Sequence, residues 1–270
     1  MAITIAVAIQ KGGSGKSTTA GILSHMLSQK YKTLAVDMDG QGNLSQLLTG
    51  IEDLYEINEN TVYHAIKDLD AAPHIRKLTD NLDLLTGDQL VNTLASYIYL
   101  QYFPKTGDTT HLLKIALSHV IDQYDYIIID CPPALGELMY NSLTAADFVI
   151  AMFETSKFCY SSLISFFESL EHVRENTNPN LKIAGILRTM IDNRRSDNKY
   201  FCERVEKEFG DLCFKTIIQR TAVVGRLPAY GITTNPEMKQ IMKQYKPVLE
   251  ELMKIVEVPG RNGQKRIEKT

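Results

Sequence analysis

Ile3-Thr4-Ile5-Ala6-Val7-Ala8-Ile9 runs directly into Gln10-Lys11-Gly12-Gly13-Ser14-Gly15-Lys16-Ser17-Thr18-Thr19, and Ile22, Leu23, Met26 and Leu27 follow at helical spacing. Strand, glycine-rich turn and amphipathic helix in that order are the context of a phosphate-binding loop. The glycines let successive backbone N–H groups point into one concavity, and the helix N-terminus adds positive potential. Gly12, Gly13, Ser14, Gly15 and Thr18 belong to that cradle, Lys16 can reach the β and γ phosphates, and the Ser17 hydroxyl can coordinate Mg²⁺. A strict G-x-x-x-x-G-K-[ST] search misses the loop, because Gln10 stands where the first glycine is expected.

Outward from the loop, strand-like and helix-like runs alternate along the chain, the pattern of a mostly parallel sheet covered on both faces. Strands are expected at 3–9, 33–37, 82–85, 126–130, 148–152, 183–187 and 214–217, most of them unbroken apolar runs suited to burial on both faces. Helical stripes recur at Leu113, Ile115, Ala116, His119 and Val120, and at Leu163, Phe166, Phe167, Leu170 and Val173. The last stripe, Met238, Ile241, Met242, Tyr245, Leu249, Leu252 and Val256, is expected to pack on the core and to be kinked or split at Pro247. The fold class is therefore α/β: one P-loop NTPase domain over 1–258, with a mostly parallel twisted sheet and helices on both faces. A flexible basic tail over 259–270 carries Arg261, Lys265, Arg266 and Lys269 against Glu268.

Composition narrows the function. The 270 residues are 44% hydrophobic and 23% charged, which excludes collagen-like, disulfide-scaffold and wholly disordered chains. Lysine and arginine number 29 against 32 acidic residues, a net charge of −3, so nucleic-acid contact would have to come from a local patch or from assembly. The chain starts without a basic leader, and its longest apolar runs, 5–9 and 148–153, are too short to span a bilayer; a cytoplasmic protein is expected. Four cysteines match no zinc-ligand spacing and six histidines form no HExxH array, so a protein-ligated catalytic metal is not expected.

Lys11 before the double glycine makes the loop a deviant Walker A motif, K-G-G-x-G-K-[ST], and here the chain resembles the ParA/MinD family of P-loop ATPases, closest to the Soj-like ParA proteins of DNA partition. The second strand ends Val36-Asp37-Met38-Asp39-Gly40-Gln41-Gly42-Asn43, similar to the family's D-x-D-P-Q-G-N with Gly40 in place of proline. Tyr126-Ile127-Ile128-Ile129-Asp130 followed by Cys131-Pro132-Pro133-Ala134-Leu135-Gly136 resembles its Walker B strand and γ-phosphate switch. The resemblance implies ATP and Mg²⁺ as cofactors. Lys11 would reach the phosphates of a second copy in a nucleotide-sandwich homodimer, Asp39 would orient the attacking water, and Ser17, Asp37 and Asp130 would serve the metal, Asp130 through a water and Asp37 from its outer shell. Lys11, Lys16 and Asp39 are the implied catalytic set, since phosphoryl transfer asks mainly for geometry and charge neutralisation.

The resemblance continues through Gly185-Ile186-Leu187-Arg188-Thr189-Met190, Ile218-Gln219-Arg220 and Pro228-Ala229-Tyr230-Gly231, with Gln219 replacing a proline. It places Met190 and Arg220 near the nucleotide. It also implies non-specific binding of double-stranded DNA through C-terminal arginines, for which Arg188, Arg194, Arg195, Arg220 and Arg226 are the candidates, with Lys239 and Lys243 beside them. The implied activity is slow ATP hydrolysis stimulated by a ParB-like centromere-binding partner, in segregation of a plasmid or chromosome by a nucleoid-associated protein. The alternative is a MinD-like membrane-positioning ATPase, but Gly260-Arg261-Asn262-Gly263-Gln264 breaks the amphipathic helix such an anchor needs, so no membrane partner is expected.

Overall fold

Strands without a polar face need cover on both sides. The computed structural model describes residues 1–51, 53, 59–155, 157–189, 196–233 and 235–256. Its strands are β1 (Ile3–Ala8), β2 (Thr33–Asp37), β3 (Arg76–Lys77), β4 (Leu82–Leu85), β5 (Tyr126–Asp130), β6 (Phe148–Glu154) and β7 (Lys182–Thr189). They form one sheet in the order β3-β4-β2-β5-β1-β6-β7, parallel throughout except for the antiparallel β3–β4 edge. Ile5, Ala6, Val7 and Ala8 in the central strand are fully buried.

The helices divide between the two faces. On one lie α1 (Lys16–Leu27) and α2 (Asn43–Thr49). On the other, α3 (Val62–Asp68), α4 (Leu112–Ser118), α5 (Glu137–Ala145), α6 (Lys157–Asn176) and α7 (Ser196–Phe209) pack in succession. The long C-terminal helix α8 (Met238–Val256) returns to α1, where the buried hydroxyls of Thr19 and Tyr245 meet at 3.2 Å. Pro247 lies inside α8, which runs on through it, so the helix is not split there. Ile241, Tyr245, Val248, Leu252 and Val256 are buried on both sides of the proline and pack the whole helix on the core.

Two further differences are local. β3 was not expected, because its Arg76-Lys77 pair is short, polar and exposed, as edge strands are. The expected strand at 214–217 is not formed, although Phe214 and Ile218 donate to the carbonyls of Ile186 and Arg188 on β7. Between them the Glu251 carboxylate of α8 takes the N–H groups of Lys215 and Thr216, at 2.7 and 2.9 Å, so the segment is tied to a helix instead of extending the sheet.

The order β2-β5-β1-β6 sets the carboxyl ends of adjacent strands side by side, where ligands bind in open α/β sheets. Asp37 faces Asp130 across β2 and β5, and Val7, just before the glycine-rich loop, also pairs with Asp130.

Candidate nucleotide site

The loop after β1 turns twice through left-handed backbone, at Gly13 (φ 73°) and Gly15 (φ 82°), conformations that glycine adopts without steric cost. Gly15 caps α1 with no side chain engaging the first-turn N–H groups, so those donors face the cavity in front of the helix. That cavity, of about 600 Å³, is lined by Gly12, Gly13, Ser14, Gly15, Lys16, Ser17 and Thr18, together with Asp39, Gln41, Gln46 and Pro133. Residues Gly12 to Thr18 therefore line one space with the residue expected to handle water, and Lys11 is not among the lining. Thr189 at the end of β7 donates its hydroxyl to the Ser14 carbonyl at 3.1 Å and braces the loop from outside.

The two loop lysines are held differently. Lys16 is almost fully buried and donates to the Lys11 carbonyl at 2.7 Å. Burial pushes its ammonium pKa down, against the attraction of Asp130. Lys11 points to the end of β6, where its Nζ donates to Glu154 Oε2 at 2.6 Å with both side chains partly exposed.

The two strand-end acids also differ. Asp37 is spent on structure: Oδ2 accepts from the Ser45 N–H at 2.8 Å and the Ser45 hydroxyl at 2.7 Å, and Oδ1 accepts from the Asp39 N–H at 3.2 Å. Burial pushes its pKa up to about 7 in spite of these donors. Asp130 is equally buried, yet among the described residues neither carboxylate oxygen accepts a hydrogen bond. Its pKa is driven well above the usual carboxylate range by burial and by the charge of Asp37, with the nearby Ser17 hydroxyl and Lys16 ammonium pulling the other way. Orphaned buried carboxylate oxygens are costly, and a hydrated cation held with the help of Ser17 would satisfy them. The residues thus fit Mg²⁺ held by Ser17, phosphate oxygens and a water on Asp130. The described residues contain no cluster of three or more histidine, cysteine or carboxylate groups that would ligate a metal alone.

Asp39 is half-buried at the cavity edge, its Oδ1 accepting from the Gln41 N–H at 3.1 Å. Cys131 is fully buried with its thiol pKa pushed up by burial, consistent with a packing role. Motif reading missed Ser45, Glu154 and Thr189. Ser45 and Glu154 act through partners distant in the chain, and Thr189 was quoted without a role.

The candidate DNA residues separate sharply. Arg188 is corrected: it is 1% exposed, donates to Glu206 Oε2 at 2.8 Å and the Phe214 carbonyl at 2.7 Å, and offers no surface to a phosphate backbone. Arg226 is exposed but holds Glu237 through both Nε and an Nη. Arg220 is exposed. Met190, Arg194, Arg195 and the tail over 259–270 lie outside the described residues.

A family model described as an AAA domain matches residues 2–183. The chain is 33% identical over 241 residues to the chromosome partitioning protein ParA of Myxococcus xanthus, covering 84% of this chain and 78% of that one. Its fold superimposes on a plasmid partition protein of Borrelia burgdorferi bound to AMPPNP, with a TM-score of 0.76 and 26% identity over 94% of this chain and 99% of that one. A cobyrinic acid a,c-diamide synthase of Mycobacterium smegmatis with bound ADP and magnesium follows, with a TM-score of 0.73 and 26% identity over 91% and 96%. With the deviant loop, the orphaned Asp130 and the sheet order in agreement, the chain belongs to the ParA/MinD family of P-loop ATPases.

Proposed function

We propose that this protein is a partition ATPase that binds ATP with Mg²⁺, pairs with a second copy over the nucleotide, and in that state binds double-stranded DNA without sequence preference. The observation that carries the reading is one cavity lined by the glycine-rich loop, Lys16 and Asp39, with Lys16 also under the charge of the buried Asp130, whose carboxylate has no hydrogen-bond partner among the described residues. The relatives described as partition proteins favour segregation of a plasmid or chromosome over biosynthesis.

Phosphates entering the loop replace the Lys11 carbonyl as the acceptor of the Lys16 ammonium. Mg²⁺, when bound, neutralises charge on the β and γ phosphates. Lys11 leaves Glu154 to reach the phosphates of the second copy, which makes pairing dependent on nucleotide. Asp39 orients the attacking water, and slow hydrolysis, stimulated by a ParB-like centromere-binding partner, returns the protein to the unpaired state. We assign residues 1–258 to the ATPase domain.

For the DNA surface, Arg188 leaves the set of candidates, Arg194 and Arg195 stay in it, and Arg220 stands near the exposed Lys239 and Lys243 of α8. Lys243 lines an open groove of about 390 Å³ with Gln219, Thr221, Gln240 and Gln244, polar groups suited to phosphate and sugar contact. Two such patches brought together by pairing would overcome the −3 charge of one copy and place the protein on the nucleoid.

The apolar stripe of α8 is spent on the core and so offers no free amphipathic face to a membrane surface, which disfavours the membrane alternative. Sedimentation with duplex DNA and, separately, with anionic liposomes, each with and without ATP, tests the choice. ATP-dependent, salt-sensitive DNA binding is expected; ATP-dependent liposome binding alone would overturn the reading.

A further inference from the structure

Asp39 and Gly42 close a four-residue turn, the Gly42 N–H donating to the Asp39 carbonyl at 2.9 Å. Proline suits the second position of such a turn because its ring presets φ. Gly40 stands there, the residue that restrains φ least, one position after the acid assigned to the attacking water. Its φ is outside the left-handed region, so the turn itself does not call for glycine. A neighbour excludes the side chain: a Cβ on Gly40 would lie 2.2 Å from Asn92 Oδ1, 2.5 Å from its Cγ and 2.6 Å from its Nδ2. The Asn92 carboxamide therefore lies over the Gly40 Cα and buries it, although Asn92 itself is exposed.

Asn92 is carried by the short helical turn Gln89–Thr93, capped by Asp88, whose carboxylate accepts from the Leu90 N–H at 3.1 Å. The same segment begins at Gly87, which donates to Ser45 Oγ at 2.8 Å. A Cβ on Gly87 would come within 2.7 Å of the Asp37 carbonyl and 3.0 Å of the Asp39 carbonyl. Residues 87–92 thus lie against the Asp39 turn twice, by backbone at one end and by carboxamide at the other.

We propose that Asn92 is a positioning residue for hydrolysis: its carboxamide takes the space a proline ring would fill at residue 40 and limits the turn to the conformation that aims Asp39. It does not touch the nucleotide, and the inference rests on the reading of Asp39 as the residue that orients water. One space filled once accounts for glycine at 40 beside asparagine at 92. The Gly40 N–H makes no hydrogen bond among the described residues, so proline there removes none.

The test compares wild type, Asn92→Ala, Gly40→Pro and the double variant in two readouts: hydrogen exchange at the Gly42 amide without nucleotide, and steady-state ATP hydrolysis. Asn92→Ala should speed exchange at Gly42 and lower kcat about tenfold with KM unchanged, within the roughly hundredfold that an ångström of misplacement can cost. Adding Gly40→Pro to that variant should slow exchange and recover most of kcat, whereas Gly40→Pro alone, with ring and carboxamide competing, should do worse than wild type. Wild-type exchange and kcat in Asn92→Ala, or no recovery in the double variant, would overturn the proposal. A wild-type protein without ATPase activity would instead sink the reading of Asp39, and exchange at Gly42 would still decide whether Asn92 holds the turn.

Discussion

The glycine-rich loop and the arginines Arg188 and Arg226 both carry cations that the sequence marks for an anionic ligand, and the fold uses Lys16 and these two arginines in opposite ways. In the loop, Lys16 is buried, yet its one acceptor among the described residues is a backbone carbonyl, which a phosphate can displace. Arg188 is equally buried but engaged by Glu206 and the Phe214 carbonyl, and Arg226, though exposed, is clasped by Glu237. A buried cation opposite a neutral carbonyl inside a cavity is poised for an anionic ligand. One opposite a carboxylate already has a charged partner, although the Arg188 Nε is left without an acceptor among the described residues, and its removal is felt as lost stability. For Lys16, Arg188 and Arg226 the partner, and not the exposure, separates the two uses, while Lys11, held by Glu154, would have to leave its carboxylate to act.

Substitutions can break or sharpen this contrast. Lys16→Ala should weaken nucleotide binding by about 3–4 kcal/mol, the scale of two lost charge-assisted hydrogen bonds, as read by titration calorimetry; undiminished affinity would remove the loop from its role. Arg188→Ala should lower stability by about 3 kcal/mol in urea unfolding while leaving DNA binding per folded molecule unchanged. A loss of DNA binding at unchanged stability would erase the distinction between the two regions. Asp39→Ala should retain nucleotide and reduce single-turnover hydrolysis by about a hundredfold, and an active variant would move the water-orienting role elsewhere. Arg220→Ala should weaken ATP-dependent DNA binding by about 1 kcal/mol and reduce the salt slope by about 1, with Arg226→Ala smaller because Glu237 already holds that guanidinium.

The same contrast explains what could be read in advance. The loop was legible because its parts are adjacent in the chain and each residue type has a job at a set spacing. Asp37 and Asp130 were recognisable one at a time, but only the pairing of β2 with β5 puts them side by side, and only Ser45, eight residues beyond Asp37, distinguishes the satisfied carboxylate from the open one. Apolar content at 214–217 resembles a strand, since composition does not reveal that Glu251 takes two of its N–H groups. Arg188 reads as a surface charge because its acceptors lie 18 and 26 positions away. Gly40 reads only as a glycine in place of proline until Asn92 is found over it.

From the residues alone came the alternation that makes an α/β sheet, the phosphate loop, the two acidic strand ends and the resemblance that joins them, all carried by period and short spacing. Tertiary structure decided which of two neighbouring acids is free for a metal, which arginines remain for a partner, and what restrains the turn bearing Asp39. Those outcomes depend on contacts between distant segments, where burial turns each unpaired polar atom into a cost and each paired one into a fixture.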